Sequence, residues 1–98
     1  MIDLSADDLQ IIKAILSKYV PNCKIMIFGS RVNGHAKPYS DIDIAIEGSQ
    51  EIVREIKTEL QFAFEESDLP YRVDIVDWHG ISNEFRKIIL DKFEIIKI

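Results

Sequence analysis

The stretch that decides the fold is FGSRVNGHAKPYSDIDIAI, residues 28–46. It joins a Gly29-Ser30 pair to an alternating segment, DIDIAI, that begins at Asp41. Successive side chains of a strand point to opposite faces, so Asp41 and Asp43 share one face while the isoleucines fill the other. The pattern predicts a strand with one buried face and one face that carries two carboxylates.

The segments on either side of this stretch predict an α/β (α+β) fold with the element order α-β-β-α-β-α-β. A mixed β-sheet flanked by helices is the natural assembly of such elements. The loop after Ser30 leaves room for a short helical turn. The expected elements are a helix at 6–19, strands at 24–28 and 41–46, a helix at 52–64, a strand at 71–76, a helix after Ser82 and a strand at 93–98.

The composition is that of an ordinary globular domain, with 47% hydrophobic and 30% charged residues. The 98 residues are enough for one domain, and no apolar run approaches the ~20 residues of a membrane span. We therefore expect a single minimal domain at 1–98 that does not enter a membrane. The acidic N-terminus lacks a secretory signal and the lone Cys23 cannot build a disulfide framework, so the expected location is cytoplasmic.

The charge balance is acidic, with a formal net charge of −5 and no cluster of lysine or arginine along the chain. A protein that binds nucleic acid by itself normally needs a basic surface to displace phosphate counterions. Direct nucleic-acid binding is therefore not expected. If a nucleic acid is involved, another subunit must supply the positive surface.

The carboxylate pair and the glycine-serine turn are more informative in combination than separately. Asp41 and Asp43 lie roughly 6.5–7 Å apart along a strand, and their oxygens suit magnesium or manganese better than zinc. An isolated Asp-x-Asp is usually a solvated strand face. Here, however, Gly29-Ser30 follows an apolar strand, where backbone amides can meet a phosphate. The combination points to a site for a phosphorylated ligand and a hard cation.

A third carboxylate, Asp74, lies between Val73 and Ile75 in the next predicted strand. By the period of two, it projects from the face opposite its apolar neighbours. If this strand lies beside the Asp41 strand, Asp74 reaches the same site. If it does not, Asp74 is a solvated strand residue, and the pattern leaves both alternatives open.

Gly29-Ser30, ten intervening residues and Asp41-Ile42-Asp43 resemble the signature of the nucleotidyltransferase superfamily related to DNA polymerase β. The whole chain looks like the minimal (MNT) members of that superfamily, and RVDIVDW at 72–78 resembles the segment with their third aspartate. The resemblance implies a nucleotidyltransferase fold. It also implies a reaction that uses ATP or another NTP with two Mg²⁺ ions, for which Mn²⁺ is an alternative.

The resemblance also implies roles for individual residues. Asp41 and Asp43 would ligate the metal ions, and Asp74 would join one ion and help to deprotonate the attacking hydroxyl.

On the nucleotide side, Ser30 would bind the triphosphate through its hydroxyl and its backbone amide, and Gly29 would allow the close approach. Arg31 is a further candidate for a phosphate contact, because a guanidinium can bridge two oxygens. An exposed loop arginine is the alternative reading of Arg31.

Larger members of the superfamily carry an additional domain for the acceptor, and this chain has no residues for one after residue 98. Minimal members are commonly paired with a HEPN-domain toxin, so the resemblance implies an antitoxin that transfers AMP onto the HEPN protein within a hetero-oligomer. The alternative is a non-catalytic, NTP-binding antitoxin that neutralises its partner by complex formation. The tail Phe93–Ile98 fits either a core strand or an edge strand that pairs with the partner.

Overall fold

The predicted strands pair into one four-stranded mixed sheet in the computed structural model, which describes residues 2–98. The strands are β1 (Lys24–Phe28), β2 (Ile42–Glu47), β3 (Val73–Asp77) and β4 (Phe93–Ile96). Across the sheet the order is β3-β2-β1-β4. β1 runs antiparallel to β2 and to β4, whereas β2 and β3 are parallel.

The helices are α1 (Ala6–Tyr19), α2 (Ser30–Asn33), α3 (Arg54–Glu65) and α4 (Asn83–Asp91), with a 3₁₀ helix at Trp78–Gly80. Serine side chains cap the first and last of these helices. The Ser5 hydroxyl accepts a hydrogen bond from the Asp8 amide, and the Ser82 hydroxyl accepts one from the Phe85 amide, both at 3.1 Å. Each cap satisfies a backbone donor that has no partner within its helix.

The two faces of the sheet pack against different helices. The isoleucines of β2 are fully buried against α1 and α3, where they meet Leu16 and Leu60. Met26, Phe28 and Ala45 point the other way and pack with Ile89 of α4. Asp43 lies opposite Phe28 in the antiparallel register, so this aspartate belongs to the α4 face.

The predicted fold class and element order are confirmed, with α2 and the 3₁₀ helix as short additions. The second long helix begins at Arg54 rather than at 52, because Val53 has extended backbone angles and is 56% exposed. The third strand begins at Val73 rather than at 71. The tail forms β4 at the edge of this chain's own sheet, where Ile96 is buried in the core and Ile95 is 52% exposed. Pairing of this edge with a partner remains a prediction.

Within residues 2–98, none of the helices combines the length and the apolar character that crossing a membrane requires.

Candidate active site

The three aspartates meet at one end of the parallel pair β2 and β3. Asp43 and Asp74 are direct neighbours in the register of these strands, and Asp41 stands immediately before β2. The guanidinium of Arg72 reaches two of the carboxylates. Its Nη2 lies 3.6 Å from Asp41 Oδ2 and 3.3 Å from Asp74 Oδ1. The adjacency that the sequence left open is therefore present, and Asp74 is part of the cluster.

The Gly29 turn touches this cluster from the side of β1. Gly29 has φ 78° and ψ −154°, a backbone conformation that is essentially restricted to glycine. A Cβ atom on Gly29 would overlap Asp43 Oδ2. Glycine is thus required both by the backbone angles and by the space. Ser30, which follows it, is the first residue of α2.

Burial and the neighbouring carboxylates of Asp74 and Asp41 change the pKa of Asp43. Partial burial raises the pKa of the Asp43 carboxyl, and the neighbouring Asp74 and Asp41 raise it further, while Arg72 lowers it. Burial and like charge both disfavour the ionised form of a carboxyl group. A cation at this position would relieve that penalty.

The donor chemistry of the cluster fits a hard divalent cation, since carboxylate oxygens are the ligands that Mg²⁺ and Mn²⁺ prefer. In the part of the chain that the structure describes, no three His, Cys, Asp or Glu side chains are already arranged around a metal position. Instead, the Arg72 guanidinium supplies the positive charge between Asp41 and Asp74. The predicted metal ligands are close together, and their role remains a prediction.

Arg31 differs from both expectations. It is only 6% exposed, so it is not a surface loop arginine. Its guanidinium donates hydrogen bonds to the backbone carbonyls of Asp3, Pro38 and Ser40 at 2.7–3.2 Å and lies 4.4 Å from the centre of the Tyr71 ring. These contacts fold the loop before Asp41 back onto the body of the protein. Because its donors are engaged inside the fold, the geometry argues against a phosphate contact by Arg31.

Arg72 is the site residue that the sequence reasoning missed. It stands two residues before Asp74 at the entry of β3, so the period of two places both side chains on one face. That signal was available in the sequence. An arginine that shares the face of a suspected carboxylate site is a candidate partner for the carboxylates.

Asp77, at the other end of β3, has a different environment. It is buried and accepts hydrogen bonds from the backbone amides of Ile52 at 2.7 Å and His79 at 3.1 Å. It therefore caps the 3₁₀ helix and fixes the approach to α3. The aspartates of β3 thus divide into one in the cluster and one in the framework.

A groove adjoins the cluster on the side of Gly29. It runs between the end of β1 and the end of α4 and is lined by both apolar and charged groups. Its lining residues are Phe28, Gly29, Asn33, Ile88, Asp91 and Lys92.

A family model and a related protein both place this chain among nucleotidyltransferases. The chain matches the family described as polymerase beta, nucleotidyltransferase over residues 10–97. A relative, the probable protein adenylyltransferase MntA of Haemophilus influenzae, is 43% identical over 96 residues, which cover 98% of this chain and 84% of the relative.

Solved structures resemble the fold over most of its length. One is a toxin–antitoxin with AMP-PNP, with a TM-score of 0.74 and 26% identity over 88% of this chain and 69% of that chain. Another is a tri-AMPylated Shewanella oneidensis HEPN toxin in complex with MNT antitoxin, with a TM-score of 0.66 and 27% identity over 91% of this chain and 67% of that chain.

Proposed function

Because this chain belongs to the polymerase beta nucleotidyltransferase family, we propose that it transfers AMP from ATP to a hydroxyl of a HEPN-domain protein and so acts as its antitoxin. The observation that carries the proposal is the convergence of Asp41, Asp43 and Asp74 beside the Gly29-Ser30 turn. We further propose that residues 1–98 form one minimal catalytic domain, with the acceptor held by the partner.

The relatives support the substrate and the partner. The Haemophilus influenzae relative is named as a probable protein adenylyltransferase. One structural neighbour is a toxin–antitoxin with an ATP analogue, and another contains an AMPylated HEPN toxin with its antitoxin. The acidic character of this chain, with a net charge of −5, complements a partner with a basic surface.

The aspartates would hold Mg²⁺, with Mn²⁺ as the alternative. Asp41 and Asp43 are the proposed metal ligands, and Asp74 is the proposed third ligand. When bound, the divalent cation supplies positive charge for the phosphate oxygens on which negative charge develops.

The other residues of the site bind and orient the substrates. Ser30 would bind the triphosphate through its hydroxyl and its backbone amide, and Gly29 would allow the close approach of the triphosphate. The acceptor oxygen attacks the α-phosphorus, and the bond between the α-phosphorus and the oxygen that bridges it to the β-phosphate breaks. Pyrophosphate leaves with the bridging oxygen, and AMP stays on the acceptor oxygen. Asp74 is about half-exposed, so its carboxylate is accessible to take the proton of the acceptor hydroxyl.

The test uses ATP labelled at the α or the γ phosphate, together with the HEPN partner and Mg²⁺. Label from the α position is expected on the partner protein, and label from the γ position is not. Retention of the γ label would mean phosphoryl transfer and would contradict the proposal.

Matched variants separate catalysis from binding. The double variant Asp41→Asn, Asp43→Asn is expected to lose transfer, while Asp68→Asn, which changes an exposed aspartate in a loop, is expected to retain it. Suppression of toxicity without any transfer of label would instead support the non-catalytic antitoxin.

A further inference from the structure

Arg72 makes the closest charge contacts in the aspartate cluster. One nitrogen, Nη2, lies 3.6 Å from Asp41 Oδ2 and 3.3 Å from Asp74 Oδ1, and it also donates to Asp74 Oδ2 at 3.5 Å. These contacts join an aspartate before β2 to an aspartate within β3. A single guanidinium therefore serves as the counter-ion for side chains from two strands.

The backbone of Arg72 is held in the sheet, whereas its side chain extends into solvent. The Arg72 carbonyl accepts a hydrogen bond of 3.0 Å from the Ile42 amide, which anchors the residue where β2 begins. The side chain, in contrast, is 70% exposed. The guanidinium can thus leave the carboxylates by rotation of its side chain while the strand pairing stays intact.

We propose that Arg72 is an internal counter-cation, which occupies the carboxylates of Asp41 and Asp74 until a divalent cation displaces it. The guanidinium and the cation compete for the same carboxylate oxygens. This inference rests on the proposed function, because that function is the reason to expect a divalent cation at these aspartates.

The exposure of the pair suits such an exchange. Ion pairs between exposed side chains contribute little to stability, so an incoming cation has little to overcome. A deeply buried arginine pair would be costly to break and would exclude the metal. The contacts of Arg72 therefore reduce the repulsion within the cluster without removing it, and they are weak enough to be replaced.

The test measures the binding of Mn²⁺ alone to the full chain, without nucleotide or partner, by the loss of the free Mn²⁺ resonance. Arg72→Ala is expected to bind Mn²⁺ roughly threefold to tenfold more tightly than the unaltered chain, because the competitor is gone. Arg72→Lys keeps the charge but not the fork of donors, and an intermediate affinity is expected.

A matched control is Arg54→Ala, which removes an exposed arginine from α3. Its Mn²⁺ affinity is expected to equal that of the unaltered chain. Circular dichroism of each variant establishes that it is folded before the titration.

Two results of the titration would contradict the inference. Unchanged or weaker Mn²⁺ binding by Arg72→Ala would overturn the inference, since a residue that merely orients the ligands would weaken binding when removed. Absence of Mn²⁺ binding in every variant would overturn it as well.

The inference and the proposed function can also fail separately. Tighter Mn²⁺ binding by Arg72→Ala in a protein that transfers no AMP would keep the role of Arg72 and refute adenylyl transfer. Normal transfer with unchanged Mn²⁺ affinity in Arg72→Ala would do the reverse.

Discussion

At the scale of single residues, Gly29 is the most constrained position of the candidate site. Gly29→Ala is expected to lower stability by about 1–3 kcal/mol through backbone strain. It should also reduce AMP transfer roughly 100-fold, because the new Cβ would displace the Asp43 carboxylate. Thermal unfolding and the α-label assay measure the two effects.

The matched control for this change is Gly34→Ala. Gly34 also has positive φ, 87°, but a Cβ there would meet no atom within 4 Å. Strain of about 1–2 kcal/mol without a large loss of transfer is therefore expected. Equal losses of activity in both variants would show that the contact between Gly29 and Asp43 is unimportant.

Asp43 illustrates a conflict between function and stability. Its pKa is raised in the folded protein, so its ionised form destabilises the fold at neutral pH. The favourable contribution of its protonated form is present below the unfolded pKa and is lost as pH rises through the folded pKa. Asp43→Asn is thus expected to raise the Tm by a few degrees at pH 7 in a chelator and to abolish transfer.

The pH dependence provides the check on this assignment. The Tm difference between Asp43→Asn and the unaltered chain should shrink toward zero as the pH falls below the ordinary range of an aspartate carboxyl, where the unaltered carboxyl is protonated in both the folded and the unfolded chain. Asp68→Asn, at an exposed position, should show no comparable trend. A lower Tm for Asp43→Asn at pH 7 would refute the assignment.

At the scale of elements, β3 carries two aspartates with separable roles. Asp77→Ala leaves the partly buried amides of Ile52 and His79 without their acceptor, and a loss of about 1–3 kcal/mol is expected with transfer retained. Asp74→Ala removes a half-exposed side chain, so a stability change below about 1 kcal/mol is expected, with transfer abolished.

Denaturant unfolding and the α-label assay, performed below the Tm of each variant, separate these effects. Each aspartate is the control for the other, since they lie three residues apart on one strand. Retained transfer in Asp74→Ala would remove it from the proposed machinery.

Elements with strong local patterns could be predicted from the sequence. The ends of α1 and β1 agree with the prediction, whereas at least one end of α3 and of each later strand differs by one or two residues. The alternation in β2 predicts correctly which side chains lie on each face of the strand. The period of two alone decides this, whatever turn precedes the strand, and the isoleucines are buried on one face. The start of α3 could not be read from periodicity. Ile52 and Val53 continue the apolar pattern, yet the Ile52 amide is bonded to Asp77, and the helix begins only afterwards.

At the scale of the whole molecule, the missing information is which distant segments meet. The pairing of β2 with β3 joins residues about 30 positions apart and depends on the α3 crossover between them, so the third aspartate could only be placed conditionally. The same limit applies to Arg31. The burial of Arg31 follows from tertiary contacts that no local pattern predicts, whereas the position of Arg72 two residues before Asp74 already places it on the face of that aspartate.

Arg31 connects parts of the chain that are far apart in sequence, through the carbonyls of Asp3, Pro38 and Ser40 and the ring of Tyr71. Arg31→Ala is expected to lower stability by about 3 kcal/mol, because several charge-assisted hydrogen bonds are lost inside the fold. The Tm should fall by more than roughly 10 °C in a domain of this size. Arg31→Lys should rescue little, since an ammonium lacks the planar fork that reaches all three carbonyls.

The decisive measurement is the KM for ATP at a temperature at which the Arg31 variants are still folded. An unchanged KM with reduced stability is expected of an arginine that holds the framework. A KM raised tenfold with unaltered stability would instead establish the phosphate contact and would mean that the loop opens to release Arg31. Arg54→Ala, at an exposed site on α3, should change neither quantity, and it therefore controls for the loss of one positive charge from an acidic chain.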